Sequence, residues 1–285
     1  MNKTKYTIDD LPRYSSWPAR ILGLEPWEQK CKTPEAIQRE YEDEKWSPLL
    51  SKVKNAKREV SVEEVDNWMF KDSEPSLCCT EDGLDLLSRL EAHQRLVDLL
   101  ERVLKPYLPA PALVELGAGY GSVILALAKR DPFREMDIIA GEYTSSGVEL
   151  IQRLAKAQDL NIQTGHCDFG SPGVTDLPIP AGAIIFTSFA TPCVPRLPAS
   201  FVGALASFHP CVVAHFEPCY EHCEDSTLFG LMRRRYIEVN DYNRNLVTLL
   251  HEQQAVGTIS IVKEQQAVLG PNPLLPASII IWDPC

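Results

Sequence analysis

The chain has 285 residues, 45% of them hydrophobic and 24% charged, with a formal net charge of −11. That is enough for one large domain, or one domain with a helical extension. Net acidity repels a polyanion on average, which speaks against nucleic acid and for a small or cationic partner. No apolar run approaches the roughly 18 residues of a membrane helix, and no apolar stretch follows the opening lysines, so neither a membrane span nor a secretory signal is expected. Nine scattered cysteines in such a chain read as reduced thiols of the cytoplasm.

Residues 1–109 read as a helical extension. Thr33-Pro34-Glu35 supplies an N-cap, a first-turn proline and a first-turn acid, predicting a helix from Pro34 to Trp46. Ser61-Val-Glu-Glu64 is a capping box that opens a short helix through Trp68. Leu86, Leu90, His93, Val97, Leu100 and Leu104 step by four and three along one helix face, with His93 as a buried, satisfied histidine. Pro106 and Pro109 end that helix. Tyr14, Trp17 and Trp27 read either as core packing or as an aromatic lid. The extension is expected to cover an active site or to form a homodimer contact.

Residues 110–285 alternate short apolar runs with helical stretches. Strands are predicted at Ala112–Leu116, Met136–Ala140, Asn161–Cys167, Ala183–Phe186 and Cys211–Phe216. Helices are predicted at Gly121–Lys129, Ser146–Ala157 and Leu228–Gln253. Two last strands, Gly257–Val262 and Ala277–Trp282, have no clear helix between them. The pattern predicts an α/β fold: a seven-stranded, mostly parallel sheet with helices on both faces and an antiparallel closing hairpin.

A strand, a glycine-rich turn and a helix bind nucleotide-like ligands, because the turn lets backbone approach closely and the helix presents free N–H groups. Glu115-Leu-Gly117-Ala-Gly119-Tyr-Gly121 is such a turn. It is not a dinucleotide fingerprint, since Ser122 stands where the third glycine is needed, and it lacks the Gly-Lys-Ser/Thr of a phosphate-binding loop. The turn resembles motif I of class I S-adenosylmethionine (SAM)-dependent methyltransferases. The resemblance covers residues 110–285 as a strand order, and only motif I is specific. It implies SAM as cofactor, with Glu115, Gly117, Ala118, Gly119 and Gly121 around its methionine part. It implies Glu142 on the ribose hydroxyls, and Cys167, Asp168 and Phe169 around the adenine, with Tyr143 as a second flank. Ser188 follows the fourth strand, where the family's substrate and sulfonium sites meet.

The acceptor site is expected beyond the fifth strand, at His215-Phe-Glu217-Pro-Cys-Tyr-Glu221-His222. Glu217 and Glu221 read as a carboxylate pocket for a guanidino or amino nitrogen. His215 or His222 reads as a general base for an oxygen or carbon nucleophile. His215, Cys219 and Cys223 at spacings of four read as a metal site, although Pro218 interrupts the helix; a solvated loop is the plainest reading. No metal is adopted, and Glu217, Glu221 and His215 are carried forward as catalytic candidates for methyl transfer to a small molecule. An oxygen methyltransferase and a non-catalytic SAM-binding protein stay as alternatives. Arg233-Arg-Arg235 reads as a solvated helix face, and Asp241-Tyr-Asn-Arg-Asn245 as polar residues near a pocket.

Overall fold

Capping chemistry sets the first elements. The computed structural model describes residues 6–70 and 74–285. After α1 (Leu11–Tyr14) and α2 (Trp17–Ile21) comes α3 (Pro34–Gln38), whose cap Thr33 accepts from the Ala36 N–H at 3.2 Å. The helix expected through Trp46 persists, but from Arg39 to Trp46 it widens into π turns before α4 (Ser47–Asn55). Pro48 has no N–H for the ordinary bond to the fourth residue before it. The Ser47 N–H reaches back five residues instead, to the Glu42 carbonyl.

Ser61 accepts from Glu64 N–H at 3.3 Å and starts α5 (Val62–Phe70). A hairpin then follows that the helical reading did not anticipate: β1 (Ser76–Thr80) and β2 (Gly83–Leu87), joined by the Glu81-Asp82 turn. Leu86 therefore belongs to β2. The long helix α6 (Arg89–Leu104) begins only after Ser88, which forms a reciprocal box with Glu91. Of its stripe, Val97, Leu100 and Leu104 are buried, whereas Leu90 in the first turn is exposed.

The second part is built of β3 (Ala112–Leu116), α7 (Ser122–Ala128), β4 (Asp137–Glu142), α8 (Ser145–Lys156), β5 (Ile162–His166), β6 (Ile184–Ser188), α9 (Phe201–Ala206) and β7 (Val212–Pro218). It closes with α10 (Leu228–Val239), α11 (Leu246–Ala255), β8 (Ile259–Leu269) and β9 (Ala277–Pro284). The sheet order is β5-β4-β3-β6-β7-β9-β8. β3 to β7 pair in parallel, and β9 runs antiparallel to both β7 and β8. Every residue of β3 is buried, as befits a central parallel strand covered on both faces. The expected helix over residues 228–253 is two helices, because Asn243 turns its side chain onto the Leu246 N–H at 3.1 Å and starts a new one. β8 runs further than expected, to Leu269.

One face of the sheet packs on α7, α8 and the extension, in a single core that joins Val53, Val65 and Leu100 to Ile124 and Leu150. The other face packs on α9 and α11. The hairpin joins the sheet edge through paired Cys79 and Gly270 backbone bonds of 2.8 and 2.9 Å. The extension and the sheet thus share one interior. Leu100 is fully buried in it, so Leu100→Ala should cost about 2–5 kcal/mol. Urea unfolding followed by tryptophan fluorescence and by circular dichroism should give one coincident transition in both proteins. Two separated transitions would show that the extension folds apart from the sheet.

Candidate functional site

The strand order reverses between β3 and β6, and open α/β sheets bind ligands beyond the C-terminal strand ends at such a point. A cavity of about 540 Å³ lies there. Glu115, Gly117, Ala118, Gly119, Glu142, Tyr143, Cys167, Asp168, Phe169 and Ser188 line it. The structure therefore brings together ten of the residues singled out for the cofactor. Gly121 is not among the lining residues; it caps α7 from the left-handed region at φ 85°.

The glycines are required by geometry. Gly117 has φ 81° and Gly119 φ 59°, which side-chain-bearing residues rarely adopt. A Cβ on Gly117 would overlap the Ala190 side chain. A Cβ on Gly119 would stand 3.3 Å from the Trp46 ring. The Gly117 and Ala118 N–H groups donate to the Gly141 carbonyl at 2.8 and 2.9 Å, tying the turn to β4.

Glu142 completes that tie. One carboxylate oxygen accepts from Gly119 N–H at 3.0 Å, the other from Thr144 N–H at 3.1 Å and its hydroxyl at 2.8 Å. Burial pushes its carboxyl above the usual range, and these donors oppose that push. Glu115 accepts from Ile124 N–H at 3.0 Å, at the start of α7. Its carboxyl is raised well above the ordinary value, by burial first and then by Glu217 and Glu142. Asp168 accepts from Gly170 N–H at 2.8 Å and still faces the cavity. Phe169 lines the cavity while its other edge meets Phe201 in a T-shaped pair at 5.4 Å.

The extension also holds the turn from outside. Asp66 of α5 accepts from the Tyr120 hydroxyl at 2.7 Å and the Ser122 hydroxyl at 2.6 Å, on either side of Gly121. His93 of α6 meets the same Ser122 hydroxyl at 3.0 Å. His93 is indeed a satisfied, largely buried histidine, held between Ser122 at the start of α7 and the Asp66 carboxylate at 3.6 Å.

The cap wall of the cavity is made by Lys32, Pro34, Ile37, Tyr41 and Trp46. Glu42 fastens this wall by accepting from Ser146 N–H at 3.1 Å, in the first turn of α8. The residues that reach over the site are thus Tyr41 and Trp46. Trp17 packs edge-on against Tyr236 at 4.6 Å, Tyr14 pairs with Tyr6, and Trp27 lies under Arg235. Nothing in the sequence distinguished these aromatics from those of the wall, because the face of the π-helical segment is set by its tertiary seat. Among the described residues, two lining groups are buried with no hydrogen-bond partner in the protein: Trp46 Nε1 and Ser188 Oγ.

The third wall is the loop after β6, from Phe189 to Pro195. Phe189 sits at φ 51°, a strained backbone state for a non-glycine residue. Glu217 holds the loop: its oxygens accept from Ala190 N–H at 3.1 Å, Thr191 N–H at 3.1 Å and the Thr191 hydroxyl at 2.9 Å. The polar run after α10 braces the same wall. Asn243 donates to the Val194 carbonyl at 2.8 Å, and Asn245 accepts from Leu197 N–H at 2.9 Å.

The catalytic candidates stand elsewhere. Glu217 is fully buried and its oxygens are taken by the loop, so it does not line the cavity. Glu221 accepts from the Thr248 N–H and hydroxyl on α11 and also lies off the cavity. His215 is buried between the Thr187 hydroxyl at 3.0 Å and Trp282 Nε1 at 3.1 Å. Burial depresses its imidazole to about 3, so it is neutral and already paired. His222 is held between Ser278 and Glu264. β7 is central in the sheet, so its side chains point into packed layers and not out of its end. The metal reading fails for the same reason. His215 has no free nitrogen, and among the described residues no group of three histidine, cysteine or acidic side chains is placed to hold a metal ion. Arg233 is likewise no solvated face, since it donates to the Pro273 carbonyl and the Cys79 sulfur.

No family model matches the chain, and no curated protein matches it in sequence. Solved structures share its shape at low similarity. Magnesium protoporphyrin IX methyltransferase from Synechocystis PCC 6803 is 14% identical over 68% of this chain and 84% of its own, with TM-score 0.47. A SAM-dependent methyltransferase from Aquifex aeolicus is 14% identical over 68% of this chain and 96% of its own, with TM-score 0.44. The O-methyltransferase NcsB1 of neocarzinostatin biosynthesis is 14% identical over 67% of this chain but 57% of its own, with TM-score 0.44. At such low scores the assignment rests on the strand order and on the glycine turn at the end of β3. That strand order, closed by an antiparallel pair, is the one that the sequence resemblance implies. Within this fold the extension supplies a cap wall, and among the described residues no helix is long and apolar enough to cross a membrane.

Glu217→Ala should leave three buried donors without acceptors and cost about 2–5 kcal/mol. Burial holds the Glu217 carboxyl up at about 7, against the Thr187, Ala190 and Thr191 donors. A raised folded-state value means the stabilisation is complete below the unfolded carboxyl range and is lost as pH rises through about 7. The cost of Glu217→Ala, read from urea midpoints, should therefore be largest around pH 5 and shrink by about pH 8. A cost that grows with pH would contradict this placement of the side chain.

Proposed function

We propose that the protein transfers a methyl group from SAM to a small molecule. The observation that carries this reading is the Glu142 carboxylate, fixed to the Gly119 amide at 3.0 Å and facing the same cavity as the glycine turn. A carboxylate has about four acceptor sites, so Glu142 keeps acceptor capacity beyond its three protein donors. A ribose hydroxyl suits that capacity. Asp168 and Phe169 at the end of β5 offer an acceptor and an aromatic face to an adenine ring. The unpartnered Trp46 Nε1 and Ser188 Oγ supply polar contacts in a buried cavity that protein groups do not satisfy.

SAM supplies an electrophilic methyl group on a sulfonium. The chain's own residues bind, orient and exclude water: Trp46 and Tyr41 close the cavity from the extension, and the loop after β6 closes it from the sheet. The guanidino or amino acceptor expected from the sequence rested on Glu217 and Glu221, and neither lines this cavity. The oxygen reading with a histidine base meets the same difficulty, since no histidine is among the lining residues. Nine free cysteines support a reducing compartment, the cytoplasm. A cavity that extends past the cofactor-type residues to the cap favours an enzyme over a non-catalytic SAM-binding protein.

Titration calorimetry should detect binding of both SAM and S-adenosylhomocysteine to the folded protein. Glu142→Ala should weaken both by at least about tenfold, the scale of a charge-assisted hydrogen-bond pair. Absence of heat for either ligand, or a Glu142→Ala protein with unchanged affinity, would remove the proposal.

A further inference from the structure

The two ends of the cavity carry opposite charge. The carboxylates that line it, Glu115, Glu142 and Asp168, all come from the strand ends. The cap and the loop after β6 contribute one charged lining side chain among the described residues, Lys32. Its side chain is 2% exposed and its ammonium is bonded to Glu40. The Tyr41 and Tyr242 rings lie 5.5 and 5.8 Å from it. An ammonium with one acceptor still has two hydrogens to give.

Glu40 does not cancel this charge, because it is shared. Lys45 donates to its other oxygen at 2.7 Å. Burial pushes the Glu40 carboxyl up, but the two lysines outweigh burial and hold it at about 2. Two ammonium groups thus share one carboxylate, while Asp241 accepts from the Lys32 backbone N–H at 2.9 Å. The wall around them is apolar, with Pro34, Ile37, Phe189 and Val194.

The same side holds no base for a neutral nucleophile. The Tyr41 hydroxyl is hydrogen-bonded to Cys193. Burial raises the Tyr41 phenol far above its usual range and the Cys193 thiol to about 11. An acceptor seated here must arrive already ionised.

Building on the methyl-transfer reading, we propose that the acceptor is a small organic acid: a carboxylate, or a phenol acidic enough to be ionised at neutral pH. Its apolar body lies against the cap, and Lys32 meets its charge. The acid's oxygen lone pair forms the bond to the methyl carbon, while the carbon–sulfur bond breaks toward sulfur. An anion and a sulfonium become a neutral ester or ether and a neutral thioether, so no proton has to move.

The test uses the full chain saturated with S-adenosylhomocysteine, titrated with benzoate, cinnamate and salicylate, and with benzamide and benzylamine as neutral and cationic counterparts. The acids should bind at least about tenfold more tightly than the amide or the amine, the scale of a buried charge-assisted bond. Lys32→Met should erase that preference, and Lys32→Arg should keep most of it. Glu40→Gln removes the shared carboxylate charge and should tighten acid binding, a gain that damage to the fold does not produce. S-adenosylhomocysteine affinity, measured in parallel for each variant, is the reference against which its acid binding is read. Equal binding of acids and amides, preference for the amine, or an unchanged preference in Lys32→Met overturns the proposal while leaving the methyl-transfer reading intact. Failure of the parent protein to bind S-adenosylhomocysteine overturns that reading, and this proposal with it.

Discussion

The hydrogen bond from the Gly119 amide to the Glu142 carboxylate joins two neighbouring strand ends, and the site is arranged around it. It forms only if the chain leaving β3 can fold back tightly over the sheet, through backbone angles that side chains forbid. It also needs room on both sides. Ala190 and Trp46 close to contact distance there, because no Cβ projects from Gly117 or Gly119. A missing side chain thus does three things at once. It shapes the turn, admits the loop after β6, and seats the ring that closes the cavity.

The extension is part of the same arrangement. Its apolar side chains enter the interior shared with the sheet, and Asp66 reaches the hydroxyls of Tyr120 and Ser122 across the turn. Buried polar contacts of this kind add direction that apolar packing lacks. Glu42 gives the cap a second anchor on α8. The cofactor-type residues and the cap are therefore held to each other through hydrogen bonds as well as through contact area.

How much of this was legible in the sequence depended on range. The central strands were readable because a fully buried parallel strand must be apolar along its length, as in Ala112-Leu-Val-Glu-Leu116. The glycine turn was readable because its chemistry is local. Glu142 was readable from its place at a strand end. The acceptor side was not. Lys32, Tyr41, Trp46 and Cys193 come from segments about 150 residues apart, and no spacing rule links them. Glu217 misled because two acids and two histidines lie close together in sequence. In the fold His215 and Glu217 are buried on one face of β7, Glu221 and His222 lie beyond the strand, and Glu217 serves the loop that begins at Phe189. The β1–β2 hairpin was missed although Asp82-Gly83 is a turn signal, since five-residue strands carry too little alternation to compete with the helix pattern beside them.

Three acidic side chains, Glu115, Glu142 and Glu217, lie buried near one another at the strand ends, and two of them raise the proton affinity of the third. Low-dielectric surroundings make such crowding costly unless something positive comes to rest beside it. A ligand that enters as a cation relieves the crowding on arrival. If it departs uncharged, that relief is withdrawn, and the spent molecule has less to hold it than the fresh one. Turnover in such a pocket would be driven forward by the electrostatics of its own floor, without any moving part dedicated to release.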